Sequence, residues 1–194
     1  MIVTLWNYKG GVGKSTIALV LAEIAASKGL HTLAVDLDDQ HNLAHNLSLT
    51  GSLFPSIEIL SSMPEGKPGD LLIVDTHNTL DVRTVNALKA ADTVLVPVYA
   101  DYNSLINLRS VWQYLHDLRG GAGNVALVKN SISKLKLAAD FEKAIDALGY
   151  PVAGRLPLSN LLMRNIALGR IWHHALRLQH KSAFFDLFSY IQNL

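Results

Sequence analysis

Apolar residues in this chain come in two rhythms. Short runs at Ile2–Trp6, Thr32–Asp38, Asp70–Asp75, Asp92–Val98, Val125–Val128 and Pro151–Leu156 carry hydrophobic side chains at nearly consecutive positions. A strand wet on one face would alternate. These do not, so they predict strands buried on both faces, as in a parallel sheet. A further short strand is expected at Ile57–Leu60. Between the runs lie stretches with apolar positions three and four apart. Ile17, Leu19, Val20, Leu21, Ile24 and Ala25 wrap more than one side of a first helix, which Lys28-Gly29 ends. Leu80–Ala91, a segment from about Ser104 to Leu118, Leu135–Leu148 before Gly149, and two stretches in the last third read as further helices. Strands alternating with helices over short links predict an α/β fold, a doubly wound and mostly parallel sheet with helices on both faces. The 194 residues make one domain, with no internal repeat or linker.

The junction of the first strand and first helix holds the candidate chemistry. Lys9-Gly-Gly-Val-Gly-Lys-Ser-Thr16 follows an apolar run and opens an apolar-periodic one. Glycines at 10, 11 and 13 let the backbone turn its N–H groups onto a phosphate chain, where a β-carbon would block the turn or the approach. Lys14 can reach the β- and γ-phosphates, and Ser15 can ligate the magnesium that bridges them. The helix adds the positive end of its dipole. Two later strands deliver carboxylates to the edge where ligands of open α/β sheets sit: Asp36 and Asp38 after Thr32-Leu-Ala-Val, and Asp75 after Leu71-Leu-Ile-Val. Asp75 stands in the Walker B arrangement, where a buried parallel strand can place it beside a magnesium shell.

The strict phosphate-loop pattern needs glycine where this chain has Tyr8. The variant string with a second lysine at its head resembles the deviant Walker A loop of the ParA/MinD family of ATPases, within the P-loop NTPase fold. The likeness covers nearly the whole chain and is strongest in residues 1–40 and 70–100. It implies ATP and Mg2+ as cofactors, held by Gly10, Gly11, Val12, Gly13, Lys14, Ser15 and Thr16, with Ser15 and Asp75 serving the metal. It implies that Asp38 orients the attacking water, and that Lys9 crosses an interface to the phosphates of a second subunit, so that ATP makes a homodimer and hydrolysis undoes it. It also places Asn130 near the adenine and Pro157 among the nucleotide-binding residues. The chain departs from the family where Asp39 replaces a usual proline and where Thr76-His77-Asn78 replace a Pro-Pro segment. Both departures bear on hydrolysis rate.

Composition narrows the partners. Without cysteine there is no disulfide, thiolate zinc site or cysteine-held iron–sulfur cluster. No apolar run reaches the length of about twenty residues that a membrane span needs, and Met1 leads straight into a strand with no room for a signal peptide, so a cytoplasmic location is expected. His41 and His45 are four apart, a metal-ligand spacing, but lack a third ligand of their kind and read as surface. The net charge of +1 conceals an asymmetry: residues 1–118 carry seven Lys/Arg against twelve Asp/Glu, and residues 119–194 carry ten against four. The basic last third suggests an anionic partner.

In many relatives, arginines shortly after the proline matching Pro157 touch DNA. Leu158 and Leu161 stand there instead, while Arg164, Arg170, Arg177 and Lys181 supply basic charge nearby. The resemblance therefore implies nonspecific DNA binding, nucleoid association in the ATP state, and a small DNA-binding adaptor that stimulates hydrolysis. No helix-turn-helix domain is expected before Lys9. The cargo would be a plasmid, a chromosome or another large body. Two other readings are a MinD-like positioning ATPase at a membrane and a metabolic enzyme phosphorylating a small substrate. The terminal helix, with Phe184, Leu187, Phe188 and Ile191 in a stripe and only Lys181 basic in its last fourteen residues, reads as core packing and not as a membrane anchor. Lys9 is the residue that phosphorylation of a small substrate does not require.

Overall fold

The computed structural model describes all residues except 51–54, 67–68, 100, 122–123, 133–135 and 169–177. Seven strands form one sheet: β1 Ile2–Leu5, β2 Thr32–Asp36, β3 Ile57–Leu60, β4 Leu71–Asp75, β5 Thr93–Tyr99, β6 Asn124–Ile132 and β7 Val152–Pro157. Their order is β3-β2-β4-β1-β5-β6-β7, and every pairing is parallel. The expected parallel sheet is present, with no antiparallel strand among those described.

Burial on both faces explains the unbroken apolar runs. Val3 and Leu5 of β1 join a core with α1 (Lys14–Ser27) and α2 (Asn42–Thr50). The same core takes in α6 (Asn160–Ala167) and a terminal helix, α7 (Leu178–Gln192). Ile2 and Trp6 face the opposite core, built with α3 (Val82–Ala90), α4 (Tyr102–Leu118) and α5 (Lys136–Asp146). Phe184, Leu187, Phe188 and Ile191 are all buried, so the stripe of α7 is core. It sits so close to β7 that a β-carbon on Gly154 would lie 3.2 Å from Leu187 Cβ.

Several boundaries differ from expectation for local reasons. The β2 strand ends at Asp36, because its carboxylate accepts the Asp38 N–H at 3.1 Å and the Ala44 N–H at 2.8 Å, bending the chain into α2. Asp38 therefore lies beyond the strand. Asp81 and Asp101 cap α3 and α4 by accepting the Thr84 and Ser104 N–H groups, which sets those helix starts at Val82 and Tyr102. The sheet order then matters most for function. With β1 flanked by β4 and β5, and β4 by β2, Leu5 pairs with Asp75 and Asp75 with Asp36 in a single row at the C-terminal edge.

Candidate functional site

Along that edge opens a cavity of about 560 Å³, lined by Gly10, Gly11, Gly13, Lys14, Ser15 and Thr16 on one side and by Asp38, Asn130 and Pro157 on others. Gly11 (φ +72°) and Gly13 (φ +94°) hold the left-handed conformation that side chains resist. Gly13 is also the N-cap of α1, so the first turn of the helix opens toward the cavity with no side chain capping it. That is the arrangement of an anion cradle, with unpaired N–H groups and a positive dipole end.

Charge around the cradle is poised against burial. Lys14 is only 6% exposed, and burial lowers its pKa while Asp75 and Asp38 raise it. Asp75 is fully buried, and neither of its oxygens makes a well-formed hydrogen bond. Burial pushes its carboxyl up to about 7, with the Asp36 and Asp38 charges adding to the rise and the Ser15 hydroxyl and Lys14 opposing it. Burial likewise raises Asp36, which its backbone donors partly offset. The Thr76 hydroxyl donates to the Leu5 carbonyl at 2.7 Å, fastening the end of β4 to the strand that enters the loop.

Lys9 does not line this cavity. Its Nζ donates to Asp101 Oδ2 at 2.6 Å and to Ser104 Oγ at 3.4 Å, at the start of α4. It lies beside a second hollow of about 300 Å³ that Asn7, Tyr8 and Asn107 help to line. The two lysines of the loop therefore serve different spaces. Asn130, on β6, donates from Nδ2 to the Val12 carbonyl at 2.8 Å, and so touches the loop itself.

Residues 3–170 match the family described as the CobQ/CobB/MinD/ParA nucleotide binding domain. The chain belongs to this family. Among curated proteins, the chromosome-partitioning ATPase Soj of Thermus thermophilus is 31% identical over 156 residues, which cover 61% of this chain and 63% of that protein. The chromosome partitioning protein ParA of Myxococcus xanthus is 27% identical, with 55% of each chain aligned. This chain thus spans somewhat under two thirds of the length of these relatives. Soj of Treponema pallidum is 24% identical with 88% of this chain and 85% of that protein aligned. Solved structures share the whole fold at lower identity. A candidate plasmid partition protein of Borrelia burgdorferi, bound to AMPPNP, superposes with a TM-score of 0.82 at 18% identity, over 99% of this chain and 98% of that one. MinD of Aquifex aeolicus superposes with a TM-score of 0.81 at 17% identity, over 100% and 97%.

In this CobQ/CobB/MinD/ParA domain, the residues around the loop suit magnesium. A hydroxyl at Ser15 and a buried carboxylate at Asp75 are hard oxygen donors, and the unsatisfied Asp75 oxygens are what a hydrated cation would satisfy. Among the described residues, no three His, Cys, Asp or Glu side chains gather as a metal cluster, and His41 precedes α2 while His45 lies on it. No helix among them is long and apolar enough to cross a membrane.

Of the basic residues, Arg164 is exposed in the last turn of α6 and Lys181 is half-buried in the first turns of α7, whereas Arg170 and Arg177 lie outside the described residues. Elsewhere in the last third, Lys129 pairs with Asp146 at 2.6 Å and Arg155 forks onto Glu142. Some of the basic charge is therefore internal to the fold. Sequence reasoning missed the Arg83–Asp39 ion pair at 2.8 Å, which ties the loop after Asp38 to α3 and lowers the Asp39 pKa. Both groups are well exposed, so the tie is weak. It also missed Tyr99 and Phe184 on the cavity wall. Phe184 reads as one more core position of α7.

Asp75 has a measurable consequence in the nucleotide-free domain. Its folded pKa of about 7 exceeds the ordinary 3.8, so folding favours the protonated acid. That contribution is fully present below about pH 4 and is lost as pH rises through 7. The parent should therefore lose stability relative to Asp75→Asn between about pH 4 and 7, by about 4 kcal/mol at most. Thermal melts of both proteins across that range check this, and parallel profiles would show that Asp75 does not titrate there.

Proposed function

We propose that this chain is an ATPase of the ParA type, which binds ATP with magnesium, dimerises around it, and in that state binds DNA without sequence preference to move a plasmid, chromosome or other cargo. The placement of Lys9 carries this reading. A lysine at the head of a phosphate loop that serves its own site would line its own cavity, as Lys14 does. Lys9 instead rests on Asp101 outside it, at the surface, where a second subunit's phosphates could engage it. Relatives named for chromosome partitioning support the choice of cargo.

The chemistry is one of positioning and charge. Backbone N–H groups of the loop and the Lys14 ammonium hold the phosphates, and Lys9 of each subunit adds positive charge to the other's site. Magnesium, when bound, neutralises charge that builds between the β- and γ-phosphates. Ser15 and Asp75 would hold it with its water shell, and Asp38 holds the attacking water in line. Hydrolysis is stimulated by a DNA-binding adaptor protein, and release of the dimer ends each cycle. The protein is cytoplasmic and associates with the nucleoid while ATP is bound. The buried stripe of α7 speaks against a membrane anchor at that helix.

Light scattering with and without ATP and magnesium tests the dimer. The mass should double with ATP, and a mass that stays monomeric at saturating ATP would overturn the proposal. Retention of random duplex DNA should appear only with ATP and fall steeply with salt. Arg164→Ala with Arg170→Ala should weaken all sequences alike and reduce the log–log salt slope by about 0.9 for each phosphate no longer touched, with ATP affinity unchanged. An unaltered slope would show that these two arginines do not touch phosphate.

A further inference from the structure

We propose that Asn130 is a positioning residue of the phosphate loop, a clamp that sets phosphate affinity whatever base the nucleotide carries. The inference rests on the nucleotide reading of the cavity and assigns Asn130 a task other than contact with the adenine.

Two observations carry it. The Asn130 side chain reaches from β6 to donate Nδ2 to the Val12 carbonyl at 2.8 Å, across 118 positions of sequence. The amide also occupies the space beside Gly13 so closely that a β-carbon there would lie 2.3 Å from Nδ2 and 3.5 Å from Cγ. Gly13 thus suits the loop by its φ of +94°, and a side chain there would also displace the Asn130 amide. Asn130 is set at its height by pairing with Tyr99 on β5, and both residues line the cavity.

The mechanical consequence follows from peptide geometry. The C=O of residue 12 and the N–H of residue 13 belong to one planar trans unit and point in opposite directions. Holding the Val12 carbonyl toward Asn130 turns the Gly13 N–H away from it and fixes the plane of that peptide within the loop. The Val12 side chain is fully buried, so the peptide is held from its side chain as well as its carbonyl. A loop so fixed before ligand arrives loses less freedom on binding. One N–H of the Asn130 amide is thereby engaged with the loop.

The test compares the parent with Asn130→Ala and the similarly sized Asn130→Leu, which removes the donor without adding charge. Calorimetry with magnesium measures binding of ATP, GTP and inorganic triphosphate. Loss of one part-buried hydrogen bond should weaken ATP and triphosphate by the same factor, about fivefold, and leave the ATP-to-GTP ratio unchanged. In nucleotide-free protein, hydrogen exchange at the amides of residues 10–16 should speed up in both variants while exchange in β1 and α1 beyond the first turn stays as in the parent. Weakened ATP with unchanged triphosphate, or a changed ATP-to-GTP ratio, would make Asn130 a base contact and overturn the clamp. Unchanged loop exchange in a folded variant would overturn it as well. If the parent binds neither ATP nor triphosphate, the nucleotide reading itself falls, and the exchange measurement still decides the clamp.

Discussion

Lys14→Ala is expected to weaken ATP binding about a hundredfold or more and to leave a folded protein. The lysine opens α1 at the edge of the cavity and is nearly buried, so its ammonium would meet phosphate oxygens with little water to screen them. A charged hydrogen bond in such a place contributes more than a neutral one, and two or more such bonds to phosphate account for the stated factor. The fold should survive for a reason specific to this site. Burial already disfavours the charged lysine, and it holds the Asp75 carboxyl near 7. Without Lys14 the acid takes up a proton more readily, and no unpaired buried charge remains. Calorimetry of a variant whose circular dichroism matches the parent decides it, and undiminished ATP affinity in that folded protein would remove the phosphate-loop assignment.

Asp38→Ala and Lys9→Ala should separate chemistry from assembly. Asp38 lines the cavity past the end of β2 and accepts the Gln40 N–H within its own turn, with no side-chain bond to another element among the described residues. Its loss should slow hydrolysis about a hundredfold or more while ATP still binds, so the dimer accumulates. Lys9→Ala should bind ATP and remain monomeric. The observed pairing adds a third variant. Lys9 must leave Asp101 to reach a partner, and the pair is about one third exposed, so parting it costs at most about 1 kcal/mol. Asp101→Asn keeps an N-cap on α4 yet drops the charge. It should raise the dimer fraction at limiting ATP by up to about fivefold. Identical monomeric masses for the Asp38 and Lys9 variants would rule out the ATP-bridged dimer.

Much of this was readable in the residues because local rules produce it. Consecutive apolar positions imply strands covered on both faces, and glycines at 11 and 13 imply a loop with positive φ. An acid at the end of a buried run implies a carboxylate at the sheet edge, and Asp36 and Asp75 are both there. Where the reading slipped, a side chain had captured a backbone donor a few residues away. Asp36 ends β2 early, and Asp81 and Asp101 move helix starts by capping them.

What sequence alone determined is therefore the set of elements, the glycine loop after β1 and the acids at the same sheet edge, since each depends on neighbours within a turn or a strand. The tertiary structure alone decided which distant groups meet. Lys9 finds Asp101 across 92 positions, Asp39 finds Arg83 across 44, and Asn130 finds Val12 across 118. Those meetings follow from the strand order, which sets β4 beside β2 for the Asp39–Arg83 pair, and β5 beside β1 and β6 beside β5 for the two that converge on the loop after β1. Hydrophobic periodicity fixes how deeply a strand is buried and carries no record of which strand lies next to it.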